Sequence, residues 1–258
     1  MSVDRRRRVG LALVRAPSPR RIGIAIRSVR DAWLDHVFDR SSPISPLAPD
    51  VLARIYASEV VMPPRNLLMR PGAQTIEGLF FISSLAKALE AKELFEIGTF
   101  TGLTTWCLAR NLPDAVVHTL DLPPDQTPQL ELEPSDLGNR RDIPRRTFED
   151  LPAPGRVVQH WGDSATFDFE PFQGTCDLVY VDGAHSEPYV ESDSANALRM
   201  VSSQGAVVWD DYWRHVGGVR RVLDRLEVKM FRVPSTRLVV YVSPPAARAL
   251  GVEAPRAR

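Results

Sequence analysis

A run of short apolar segments, each closing on a glycine or an acid, limits this chain to few folds. Segments 94–97, 116–120, 157–161, 178–181 and 206–209 read as strands, ending at Gly98, Asp121, Gly162-Asp163, Asp182 and Asp210-Asp211. Between them, 74–89, 103–110, 187–200 and 216–226 carry apolar residues at helical spacing. Strands that are apolar on both faces and alternate with helices build a parallel sheet covered on both sides. Two last strands, near 228–233 and 238–242, lie too close together for a crossover helix and should pair antiparallel. The expectation is an α/β fold with a seven-stranded, mostly parallel sheet closed by an antiparallel pair. Ligands in such sheets bind beyond the carboxyl ends of the strands, where the polar residues of this chain collect.

The rest of the chain narrows the function. The 258 residues carry 32 basic and 32 acidic side chains, a balance that gives no electrostatic footprint for nucleic acid. No apolar run approaches the ~20 residues of a membrane-spanning helix, so no membrane partner is expected. Cys107 and Cys176 form no CxxC pair, which argues against a zinc or disulfide scaffold and fits a reducing, cytoplasmic setting. Residues 1–50 hold ten Arg against five Asp, and read as a basic, partly disordered extension with one amphipathic helix near 26–39, then a Ser/Pro linker. That helix could cap the core or pair with a second copy in a homo-oligomer. The apolar patch after Arg5–Arg8 is too short for a signal-peptide core. Residues 51–258 form the expected catalytic domain. Within it, 122–155 carries seven prolines and no periodicity, and reads as a lid over the site.

Three groups of residues carry chemistry. In Glu96-Ile97-Gly98-Thr99-Phe100-Thr101-Gly102 two glycines allow a sharp strand–helix turn and close approach to a ligand, but the spacing is neither that of a dinucleotide loop nor that of a P-loop. Asp121 lies 19 residues beyond Gly102 at the next strand end, where an acid suits ribose hydroxyls. Asp182 and the pair Asp210-Asp211 sit at the ends of successive strands, 28 residues apart. Three converging carboxylates repel unless a cation joins them, and oxygen-only ligands select a hard divalent ion such as Mg²⁺. His185, three residues after Asp182, would be a neutral imidazole base near pH 7. The bland alternatives are a tight turn, a solvated Asp, and an Asp and His at the start of the helix near Ser186.

Taken together, Glu96-x-Gly98-x-x-x-Gly102, Asp121, Gly162-Asp163 and Asp182 resemble the class I S-adenosylmethionine-dependent methyltransferases, with a Rossmann-like sheet over about residues 70–243. The resemblance implies that Gly98, Thr99 and Gly102 pass around the methionine part of the cofactor. Glu96 would lie beneath it, Asp121 on the ribose, and Asp163 or Ser164 by the adenine amino group. Gln74 resembles a helix start that touches the cofactor. Asp-Gly-Ala-His at 182–185 and Trp-Asp-Asp-Tyr at 209–212 are similar to strings of metal-dependent sugar O-methyltransferases from natural-product pathways. This implies Asp182, Asp210 and Asp211 as Mg²⁺ ligands, His185 as base, with Asp182 also counted in the catalytic set, and a glycosyl or related small-molecule hydroxyl as acceptor. Other readings are a metal-independent methyltransferase, a serine hydrolase built on Gly162-Asp163-Ser164 with Asp182 and His185, and a non-catalytic cofactor binder.

Overall fold

The computed structural model describes residues 42–68, 74–139, 146–151, 153–213 and 215–252. The helix expected at 26–39 lies outside them. Seven strands form one sheet: β1 Glu93–Ile97, β2 Val116–Asp121, β3 Arg156–Trp161, β4 Cys176–Val181, β5 Val201–Trp209, β6 Met230–Arg232 and β7 Val239–Val242. Their order is β3-β2-β1-β4-β5-β7-β6. β1 to β5 are parallel, and β7 lies antiparallel between β5 and β6. Strand order reverses between β1 and β4, the switch point at which α/β sheets bind ligands.

The strands are apolar because both faces are covered. On one face Leu94, Val117, Leu178, Tyr180, Val208 and Val240 pack with Ile55, Phe81, Leu85 and Leu250 from helices Pro49–Ile55, Ile76–Ala88 and Pro244–Leu250. Each such buried aliphatic side chain contributes on the order of 1.5–3 kcal/mol. On the other, helix Glu187–Met200 lies against β4 and β5, and Trp209 there donates its indole N–H to Ser194 at 3.0 Å. Over β1 to β3 the cover on that face is aromatic. Phe167, Phe169 and Phe172 pack around Phe95, His118 and His160. His118 joins this cluster to the sheet edge: its Nε2 lies 2.6 Å from Glu93 Oε1, and its Nδ1 lies 2.9 Å from His160 Nε2.

Three boundaries differ from expectation. β5 starts at Val201, five residues before its apolar core: Val201 pairs with Cys176 at the end of the preceding helix, and residues 202–205 are bulged before the ladder resumes at Leu178 and Ala206. The Ser/Pro stretch expected as a linker belongs to the domain from Ser42 onward. Leu47 N–H and Ser45 C=O bond to Arg232 on β6, and Ile44 and Leu47 are buried. Helix Ile76–Ala88 starts two residues later than its apolar pattern suggests, since Thr75 Oγ1 caps it by accepting the Gly78 N–H at 3.1 Å.

Candidate active site

Backbone hydrogen bonds continue the parallel ladder past the last strand residues. Gly98 N–H donates to Leu120, Asp182 N–H to Ile97, Asp210 N–H to Val181 and Gly162 N–H to Asp121, at 2.8–3.0 Å. The strand ends are thereby held in one row. Gly98 makes this row possible: its φ is +100°, and a Cβ there would fall 2.0 Å from the Asp182 carbonyl oxygen. Two non-glycine residues beside the row, Phe100 and Asp211, also have positive φ, of 41° and 56°, a strain that clusters at functional sites.

A cavity of about 230 Å³ opens over the row. Gly98, Asp121, Asp163, Ser164, Asp182, His185, Asp210 and Asp211 line it, as do Asp136 and Arg237. Glu96, Thr99 and Gly102 do not. Glu96 is buried beneath the glycine loop and accepts the hydroxyls of Thr119, at 2.6 Å, and Thr105. Burial pushes its carboxyl up to about 7, against the pull of those two hydroxyls. The Thr99 hydroxyl is turned below the loop, 2.7 Å from that of Thr119.

Asp121 lies 2.5 Å from Arg146 Nη2, and that guanidinium also sits 5.0 Å over the Trp161 ring. Arg146 comes from the 122–155 segment, whose described parts fold against the site. Asp163 accepts Gln129 N–H at 2.6 Å, Ala165 N–H at 2.9 Å and the Tyr189 hydroxyl at 2.8 Å. Its two oxygens are engaged by the protein, whereas Ser164 remains on the cavity wall.

The other end of the row is different. Oxygens of Asp182, Asp210 and Asp211 all lie within 4.8 Å of one another. Tyr180 OH lies 2.9 Å from Asp182 Oδ2 and 3.2 Å from Asp210 Oδ2, and its single proton serves one of them at a time. Gln74, whose expected partner was a cofactor, instead donates Nε2–H to Asp210 Oδ2 at 2.5 Å and to Tyr180 at 2.9 Å. Among the described residues, Asp210 Oδ1 is buried with no hydrogen-bond partner. Burial and then Asp211 push Asp210 up to about 6, and burial and the two neighbouring acids push Asp182 well above the usual carboxylate range. Burial also acts on Asp211, but the His185 hydrogen bond and the Arg237 charge outweigh it and hold Asp211 low. Arg237 Nη1 lies 2.8 Å from Asp211 Oδ1.

His185 stands between two carboxylates. Its Nε2 is 2.7 Å from Asp211 Oδ2, and its Nδ1 meets Asp136 Oδ1. Burial works against its charge, but these two acids carry its pKa up to about 11. The two flanking carboxylates favour the charged form of His185, in contrast to the neutral imidazole expected near pH 7. Fully ionised, Asp136, Asp182, Asp210 and Asp211 bring four negative charges against the two of His185 and Arg237, leaving two. A hard divalent cation matches that deficit and the all-oxygen donor set, and the partnerless Asp210 Oδ1 points the same way.

Sequence reasoning missed Asp136, Arg237, Tyr180 and Arg146. Only Tyr180 carried a readable signal, two residues before Asp182 on a strand of period two. The other three come from segments without periodicity.

Residues 95–212 match the family described as "Methyltransferase domain". No curated protein matches the chain in sequence. Among solved structures the chain is similar to the O-methyltransferase TomG from Streptomyces achromogenes, at 20% identity over 81% of this chain and 96% of that one, with a TM-score of 0.45. It is similar to a putative O-methyltransferase from Klebsiella pneumoniae at 18% identity, over 81% and 96%, with a TM-score of 0.48. It is also similar to the methyltransferase PaMTH1 from Podospora anserina at 14% identity, over 88% and 97%, with a TM-score of 0.49. The matched residues run from β1 to just past the end of β5, the part of the sheet whose strand-end acids stand in a row above it, so this region is similar to a methyltransferase domain.

Proposed function

We propose that the protein transfers a methyl group from S-adenosylmethionine to a hydroxyl of a small-molecule acceptor, with a divalent cation and His185 assisting. The observation that carries this reading is one cavity lined at one end by Gly98, Asp121 and Ser164 and at the other by Asp182, Asp210, Asp211 and His185. The first end suits a nucleoside and its methionine tail. The second suits an acidic hydroxyl and the cation that makes it so. Asp182, Asp210 and Asp211 would hold Mg²⁺, which when bound polarises an oxygen and lowers the pKa of its proton.

This chain's own groups do the rest. Once Asp211 is drawn to the cation it would no longer favour a charge on His185; the Nε2 proton would pass to solvent, and the neutral Nε2, with Nδ1–H still donated to Asp136, would then accept the hydroxyl proton. The acceptor oxygen forms a bond to the methyl carbon as the carbon–sulfur bond breaks. An ether, S-adenosylhomocysteine and an imidazolium result. The sulfonium charge disappears in this step, so a cavity that excludes water and aligns the two reactants favours it. Leu120, Leu122 and Leu132 supply the apolar wall. A sugar or glycosylated natural product offers adjacent hydroxyls for an oxygen-seeking cation, and is the acceptor class we infer.

A metal-independent variant is the second reading, favoured by one contact: Arg237 and His185 already bring positive charge to Asp211. Methyl-labelled S-adenosylmethionine incubated with glycosides and other diols separates the two. The first reading expects transfer with Mg²⁺, loss in EDTA, recovery when Mg²⁺ returns, and loss in His185→Ala. Transfer that EDTA leaves unchanged selects the second.

A further inference from the structure

We propose that Asp136 is the positioning residue for His185, so that the segment folded over the cavity and the base are assembled together. This rests on the reading of His185 as the base. Asp136 lies in the short helix Pro134–Asn139, within the segment that follows β2. Its carboxylate is buried and meets one residue twice: Oδ2 accepts the His185 backbone N–H at 3.0 Å, and Oδ1 accepts a hydrogen bond from the Nδ1–H. Two contacts to a backbone and a ring of the same residue fix both the rim of the loop and the plane of the imidazole. With Nδ1 committed as a donor, Nε2 is the nitrogen turned toward Asp211 and the cavity.

A purely structural role as a helix cap does not account for this arrangement. The helix Glu187–Met200 has Ser186 at its N-cap, so the His185 N–H precedes the amides that a cap would satisfy. Nor does Asp136 belong to the clustered acids; that group is Asp182, Asp210 and Asp211. On the far side, Gly218 presses on the same backbone: a Cβ there would fall 2.0 Å from the His185 carbonyl oxygen. The His185 loop is thus clamped between helix Gly217–Arg225 and Asp136, and only the second clamp touches the ring.

The test uses the full chain as Asp136→Ala, Asp136→Asn and His185→Ala. It reads kcat, KM for S-adenosylmethionine, S-adenosylhomocysteine affinity and the proton spectrum of ¹⁵N-labelled histidine. Asp136→Ala should lower kcat on the order of 10- to 1000-fold, with cofactor affinity changed by less than about two-fold. The downfield Nδ1–H resonance of His185, present in the wild type, should disappear. Asp136→Asn keeps one acceptor oxygen and should recover part of kcat. Wild-type kcat and an unchanged Nδ1–H signal in Asp136→Ala, with His185→Ala inactive, would overturn this inference and leave the base intact. Full activity in His185→Ala would overturn both.

Discussion

At the ends of β1, β2 and β3 each acid has its own donors, whereas at the ends of β4 and β5 three acids share too few. Glu96 has two threonine hydroxyls, Asp121 has Arg146, and Asp163 has two amides and a tyrosine. Asp182, Asp210 and Asp211 have one tyrosine proton, Gln74 and Arg237 among them, with His185 on Asp211 and one oxygen of Asp210 without a hydrogen-bond partner among the described residues. An acid with satisfied oxygens presents a fixed dipole or charge to a ligand. A crowded set stores repulsion that only protons or a cation relieve. The two halves therefore suit different ligands, a nucleoside and a metal ion, although the same sheet edge builds both.

Asp210→Asn would break this contrast most sharply. It removes one negative charge and the partnerless oxygen's ionised form while keeping an acceptor for Gln74. Mn²⁺ binding, followed by electron paramagnetic resonance, should weaken on the order of 100-fold or more, and turnover should fall with it. S-adenosylhomocysteine affinity should stay within about two-fold. Loss of both ligands together would mean that the halves are not separate sites.

Asp193 sharpens the contrast from behind the row, with a smaller effect. It is fully buried on helix Glu187–Met200, and a Cβ on Gly183 would lie 3.3 Å from its Oδ2. Burial pushes its carboxyl up to about 7, with the Ser164 hydroxyl drawing it down and Asp163 adding to the rise. A group whose folded pKa is raised binds its proton more tightly folded than unfolded. Its contribution is therefore present below about pH 4 and is lost as pH rises to 7, at up to about 1.4 kcal/mol per pH unit. Asp193→Asn should flatten that fall. Relative to wild type it should gain on the order of a few kcal/mol between pH 4 and pH 8, read from urea midpoints at each pH. A parallel pH dependence in the two proteins would show that Asp193 does not titrate in this range.

The fold was legible in sequence because its signals are local. β1, β4 and the second half of β5 are short apolar runs, and the spacing of 228–233 and 238–242 forces an antiparallel return. The strand-end acids were legible for the same reason, since a parallel sheet carries all such ends to one edge. What surrounds them was not. Asp136 is 49 residues from His185 and Arg237 is 26 from Asp211, and both lie in segments with no period to place them. The carboxylates that favour a charge on His185 come from those distant residues, so a neutral base was the natural expectation from the sequence. Arg146 on Asp121 was hidden for the same reason, in a proline-rich stretch that reads only as a loop.

The most direct test is a calorimetric titration of S-adenosylhomocysteine into wild type and Asp121→Ala, each with Mg²⁺ and with EDTA. The account predicts binding in the micromolar range, about −8 kcal/mol, to wild type in both conditions, and at least a ten-fold loss in Asp121→Ala. Absence of binding to wild type with Mg²⁺ and with EDTA would contradict it.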